Sequence, residues 1–191
     1  KGNINISGNI NNDGTLYYDD FCSKIKIIGD DNHYISGENP LYLSILEIET
    51  EGDIYLNNDI SIANKSTLNK GKINPNENSY VYYEEGAFSE LSSSKSYING
   101  YVAKVKGNTF FYPVGDNNYA PISITKDHSG EDKIVRYYSN SNEILYPHKN
   151  RDSTISSIKD QGYWEIINVG SPNDDNVIVI HDIYNHIEYD N

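Results

Sequence analysis

The 191 residues carry 28 acidic against 15 basic side chains, a formal net charge of -13, and a field of that sign repels a phosphate backbone instead of releasing its counterions. Nucleic acid is therefore not an expected partner, and with arginine only at Arg136 and Arg151 there is no guanidinium cluster for phosphates. Hydrophobic residues at 37% are too plentiful for a disordered acidic tail, so the chain is expected to fold, with material for one ample core or two small domains.

From the N-terminus the sequence alternates β-branched and polar residues with a period of two: "NINISGNI", "KIKIIG", "ILEIE", "DIYLNNDISI" and "SYVYYEE" come first. Cys22 precedes the second of these runs. As the single cysteine it excludes an internal disulfide and a cysteine-based zinc site, and its apolar surroundings predict a small buried hydrophobe. A glycine opens or closes a short strand at Gly8, Gly29, Gly52 and Gly71, a step of roughly twenty residues that falls in the range of stacked repeats. The spacing predicts a solenoid of parallel coils, with Ile54, Leu56, Ile60, Ile62, Leu68 and Ile73 pointing inward and corner asparagines bonding from coil to coil. The competing expectation is an antiparallel sandwich in which these glycines are hairpin turns.

After a serine-rich stretch the texture changes. "SYINGYVAKV", "APISITK", "KIVRYYS", "YWEIINV" and "NVIVIHDIY" are longer strands with prolines and aromatics among them, and Trp164 has alternating neighbours. These predict an antiparallel β-sandwich built of hairpins. The fold class expected is all-β, with β-solenoid-like (β-helix) repeats over 1–92 and a β-sandwich module over 93–191. No apolar run is long enough to span a bilayer, and the chain has no methionine, which suggests a piece of a larger or processed polypeptide.

The phrase "SYINGYVAKVKGNTFFYPVGDNNYAPISIT" (96–125), followed by "GYWEIINVGSPNDDNVIVIHD" (162–182), resembles a module of large secreted and cell-surface proteins of Bacteroidetes, in which an Asn-Gly strand leads to an aromatic Pro-Val-Gly-Asp corner and on to a Tyr-Trp strand. Tyr112 stands where such modules more often have phenylalanine. The resemblance implies an extracellular or cell-surface location, export by the type IX secretion machinery, and flanking domains of the same polypeptide as partners. It also implies that Pro113, Gly115 and Asp116 form a structural corner: proline fixes φ, glycine turns, and the carboxylate accepts backbone N–H bonds. In such proteins a short Asp-Ser/Thr sequence accepts O-glycans, and "DST" makes Ser153 and Thr154 glycosylation candidates.

Candidate chemistry is sparse. Asp116, Asn117 and Asn118 offer oxygens to a cation or a sugar. In "KDHSGEDK" a glycine turn brings Asp127, Glu131 and Asp132 together as a calcium candidate, although no EF-hand or nonapeptide pattern surrounds them. The acid pairs at 19–20, 30–31 and 174–175 read as solvated turns. His33, His128, His148, His181 and His186 lack metal-ligand offsets and read as surface or loop residues. Nothing resembles a nucleophile elbow or a phosphate loop, and acids are too numerous for a glycosidase pair to stand out.

Tyrosine is the abundant functional side chain, 18 in all, and adjacent tyrosines on a strand must face opposite ways. Tyr80 and Tyr82 in "SYVYYEE", and Tyr137 and Tyr138 in "VRYYS", are the candidates for stacking on sugar rings. The expectation is a non-catalytic structural or adhesive module of a larger surface protein, acting as spacer and contact surface. The alternatives are a carbohydrate-binding or carbohydrate-degrading module and a calcium-stabilised assembly unit.

Overall fold

A computed structural model of the chain describes residues 2–14, 24–107, 109–126, 132–140, 162–169 and 176–180, with the side chains of 126 and 176–180 left aside. Every regular element among them is a strand. The first ten are β1 (Asn3–Ile6), β2 (Ile10–Asn11), β3 (Lys24–Gly29), β4 (His33–Ser36), β5 (Leu41–Thr50), β6 (Ile54–Leu56), β7 (Ile60–Lys70), β8 (Ile73–Pro75), β9 (Tyr80–Tyr83) and β10 (Phe88–Glu90). β11 (Tyr101–Lys104), β12 (Thr109–Tyr112), β13 (Ile122–Lys126), β14 (Asp132–Tyr138), β15 (Tyr163–Val169) and β16 (Asn176–Ile180) follow.

The first ten strands wind into a parallel β-solenoid of about four coils. Three faces can be followed through the pairing. The first stacks β1, β3, the C-terminal halves of β5 and β7, and β10. The second stacks β2, β4, β6 and β8 and continues through bridges from Ile73 to Ile98 and from Ile98 to Val114. The third stacks the N-terminal halves of β5 and β7, then β9 and β11. β5 and β7 each serve two faces, and they bend where the register shifts between Leu43 and Ile45. Partners such as Ile25 and Leu46, Leu41 and Ile60, or Ile60 and Val81 lie 21, 19 and 21 residues apart, which is one coil.

Side-chain alternation explains why these strands stack and do not open out. Ile27, Ile48 and Leu68 line up inside the first face; Ile35, Leu56, Ile54 and Ile73 inside the second; Leu41, Ile60, Val81 and Val102 inside the third, all almost fully buried. Each such side chain contributes about 1.5–3 kcal/mol on burial. The six inward residues expected from sequence are all in this core. The four repeat glycines share one corner, between the first and second faces, and the strands on either side of them pair with the next coil, not with each other. Crowding at this corner is direct: a Cβ on Gly52 would lie 2.2 Å from the carbonyl oxygen of Asp31 in the preceding coil.

The corner Asn and Asp side chains reach backbone more than other side chains. Asn9, Asn32 and Asp53 each accept from an N–H of the following coil, those of Tyr34, Asp53 and Lys72, at 2.9–3.0 Å. Asn99 donating to Asn74 at 3.1 Å is the side-chain ladder expected from the sequence. His33 corrects its expected place on the surface. It is 1% exposed, its Nδ1 donates to the Gly8 carbonyl at 3.0 Å, and its Nε2 lies 3.0 Å from the Thr50 hydroxyl, so the corner satisfies both ring nitrogens.

Past the coils the pairing turns antiparallel. β14 adds to β11 and β15 to β14, extending the large sheet, while β12, β13 and β16 form a three-stranded sheet of their own. The two layers meet where Trp164 Nε1 donates to the Ala120 carbonyl at 2.8 Å and the Tyr83 and Phe110 rings pack at 4.9 Å. One hydrophobic cluster runs from Ile25 to Tyr137 without a break at Ser92.

Candidate functional tyrosine face

The outward positions of the third face follow from its inward ones. With Leu41 and Leu43 inside, Tyr42 points out; with Ile60 and Ile62 inside, Ser61 does; with Val81 and Tyr83 inside, Tyr80 and Tyr82 do. The same parity carries Tyr101 on β11, Arg136 and Tyr138 on β14, and Tyr163 and Glu165 on β15 to this surface. Adjacent strands thus bring together side chains that are up to 123 residues apart, Tyr42 and Glu165 being the extremes.

Tyr42, Ser61 and Tyr82 are neighbours in register on three consecutive strands. A small side chain between two rings leaves a depression, and a groove of about 270 Å³ lies there, bounded also by Pro40, Asp59 and Glu84. Two strand spacings put the rings roughly 10 Å apart, wide enough for a flat ring between them. Ser61 at the bottom donates to Glu84, and Asp59 Oδ1 accepts from the Tyr80 N–H at 2.8 Å. Burial, reinforced by the charge of Asp59, holds the Tyr82 phenol above its usual range, so it stays a neutral hydroxyl.

Beyond the groove the rings continue as a ridge. Tyr80 lies 5.8 Å from Tyr82 and stacks on Tyr101 at 5.3 Å; Tyr138 stacks on Tyr163 at 5.0 Å. The Arg136 guanidinium lies between them, 5.0 Å from the Tyr101 ring and 4.7 Å from that of Tyr138. The hydroxyls of Tyr101 and Tyr138 meet at 3.1 Å, and both donate to Glu165 Oε2, at 3.0 and 3.1 Å. Burial first, and then the neighbouring Tyr101 hydroxyl, push the Tyr138 phenol well above its ordinary range.

The remaining sequence candidates fall elsewhere. Tyr137, a stacking candidate together with Tyr138, faces the core at 2% exposure and packs on Trp164 at 5.2 Å, because the parity of β14 is set by Val135 inside it. The Pro113–Asp116 corner is a seam. Pro113 O accepts from Ile98 N at 2.8 Å, and Gly115 N donates to Ile98 O at 3.0 Å. Asp116 Oδ2 accepts both the N–H and the hydroxyl of Ser139, at 3.1 and 2.6 Å. Asn117 donates to the same Ser139 hydroxyl, and the Asn118 carbonyl accepts from Asp116 N. Gly115 is confined, since a Cβ there would lie 2.5 Å from the Asn118 carbonyl oxygen.

Asp132, of the calcium candidate, accepts from Lys106 N at 3.1 Å. Its companions Asp127 and Glu131 lie outside the described residues, as do Ser153, Thr154, Cys22, Arg151, the acid pairs at 19–20 and 174–175, and the other four histidines. Among the described residues no three His, Cys, Asp or Glu side chains gather as a metal site, and no helix is long and apolar enough to cross a membrane.

Compared with protein-family models, curated proteins and solved structures, the chain matches none. Function therefore has to be argued from the face itself. Sequence reasoning missed Tyr42, Tyr101, Tyr163, Arg136 and Glu165. For Tyr42 and Tyr101 the coil repeat was the available signal: a step of one coil from Ser61 in each direction reaches Tyr42 and Tyr82, and a step from Tyr80 reaches Tyr101.

Proposed function

We propose that this chain is a non-catalytic β-solenoid module of a larger secreted or cell-surface protein, a rigid spacer that holds polysaccharide on its tyrosine face. The observation that carries this reading is the Tyr42–Ser61–Tyr82 groove, with two rings about one sugar ring apart and the carboxylates of Asp59 and Glu84 at its edges. Rings stack on the C–H faces of a pyranose with little loss of side-chain entropy, and carboxylates accept its hydroxyls. The resemblance of the 96–125 and 162–182 segments to Bacteroidetes surface modules supports an extracellular location, type IX export and neighbouring domains along the same chain. The solenoid supports the spacer role, since each coil contacts its neighbours and length is added by stacking.

The test is binding of the purified chain to a broad array of polysaccharides, with calcium and again with chelator. Reproducible binding to a glycan class is expected, weakened at least tenfold, about 1.4 kcal/mol, by Tyr82→Ala, whose ring contributes to the groove and not to the core. A blank array from folded protein, or binding indifferent to both Tyr42→Ala and Tyr82→Ala, would sink the reading.

A further inference from the structure

Arg136 is out of keeping with its surroundings. It is one of two arginines in a chain of net charge -13, and its cross-strand neighbour is a carboxylate, Glu165. In that position an ion pair is the ordinary outcome. Yet Glu165 Oε2 is taken by the hydroxyls of Tyr101 and Tyr138, and among the described residues no carboxylate comes within ion-pair distance of the guanidinium. The rings of Tyr101 and Tyr138 hold it from two sides instead. Nε is buried without a hydrogen-bond partner, whereas the side chain as a whole is half-buried, so its terminal nitrogens are the part that meets solvent.

A planar guanidinium lying over two rings, with its terminal N–H groups left without a partner among the described residues, suits a bidentate carboxylate. Lysines on the first face show the contrast, because each is already matched to a glutamate: Lys24 and Lys26 to Glu47, Lys65 to Glu90. Arg136 on β14 lies two strand spacings from Tyr82 on β9 and three from Ser61 on β7, roughly 10 and 15 Å. A glycan chain a few sugars long spans that distance. The overall negative charge disfavours a densely charged polyanion, which leaves a mostly neutral polymer bearing isolated acid groups.

We infer that Arg136 is a subsite for the carboxylate of a uronic-acid unit, so that the polysaccharide held on this face is a largely neutral chain with occasional uronates. This rests on the proposed glycan-binding role and specifies its ligand. The probe is glucuronoxylan, compared with the same polymer after reduction of its carboxyl groups, each titrated against the full 191-residue chain at low and at moderate salt. At low salt the native polymer should bind at least tenfold tighter, and the preference should narrow as salt screens the charge. Arg136→Gln should bring the two polymers to equal affinity without abolishing binding, and Arg136→Lys should keep only part of the preference, having charge but no fork.

Equal binding of both polymers by the unmodified chain would overturn the uronate subsite while leaving the glycan-binding role intact, and this arm does not depend on any variant folding. A preference that persists in well-folded Arg136→Gln would overturn the assignment to Arg136. Binding of neither polymer here, together with a blank array, would remove both proposals.

Discussion

The first and third faces of the solenoid are built on the same inner row of aliphatic side chains but differ completely outside. On the first face, lysines and glutamates of successive coils neutralise one another: Lys24 and Lys26 reach Glu47 at 2.8 Å, Lys65 reaches Glu90 at 2.9 Å, and Lys26–Glu49 and Lys70–Glu51 also pair. On the third face the outward positions hold Tyr42, Tyr80, Tyr82, Tyr101 and Tyr138, with an arginine that forms no ion pair among the described residues. A period of two separates the demands of stacking from those of the surface. The coil needs only its inner row, so one outer row can saturate its own charges and the other can be kept for contact. A face that satisfies itself has little to offer a ligand. The proposed function rests on that difference.

The comparison is broken most severely from inside. Ile60 is fully buried between Leu41 and Val81 at the start of β7, the strand that carries Ser61 on one face and Lys65 on the other. Ile60→Ala should lower stability by about 2–5 kcal/mol through lost burial and the cavity left behind, read as the shift of the urea midpoint. Both outer faces should fail together in one cooperative transition. Two separated transitions would mean that the faces are not one folding unit.

A smaller effect separates the inward tyrosines from the outward ones. Tyr83, next to Tyr82 in sequence, is inside; burial pushes its phenol up to about 12, with the Ser66 hydroxyl 2.6 Å away acting weakly in the opposite direction. The folded pKa is raised above the unfolded one, so this stability is complete below pH ~10 and is lost as pH rises towards 12. Two units correspond to roughly 2–3 kcal/mol at most. Denaturation midpoints at pH 9, 10 and 11.5 should be flat and then fall, with less of a fall in Tyr83→Phe. An unchanged midpoint at pH 11.5 would contradict the buried assignment.

How far the sequence could be read follows the same division. Periodicity and the glycine step pointed to the solenoid but left the sandwich as its rival; the inner alternation is local and legible, whereas the crowding that bars a Cβ on Gly52 against Asp31 shows only once the coils stack. Two further things were not local. "LYLSILEIET" is a single strand bent between two faces at the Leu43–Ile45 shift, which no run of alternating residues reveals. The composition of the tyrosine face depends on which strands become neighbours, and β14 and β15 join β11 from far along the chain. Tyr137 and Tyr138 illustrate the limit. Their opposition is certain from sequence, but which one reaches the surface is decided by Val135 packing inward opposite Val102.

The smallest effect sharpens the contrast from the charged side. Glu47 lies between Lys24 and Lys26, and their hydrogen bonds, that of Lys24 first, hold its carboxyl below the usual carboxylate range. A depressed folded pKa means that the unfolded chain takes up the proton first as pH falls. The contribution is therefore present above pH ~4.5 and disappears as pH falls through the lowered value. Partial exposure and salt screening keep it below about 1 kcal/mol. Glu47→Gln should then cost little at pH 7, and its difference from the unmodified chain should vanish in acid and shrink in high salt. Glycan binding should be unaffected, because the variant alters only the face that has already matched its charges. A cost at pH 7 comparable with that of Ile60→Ala, persisting in salt, would show that the lysine–glutamate ladder holds the coils in register and is not merely a neutralised surface. The two faces would then differ in structural weight as well as in what they leave open.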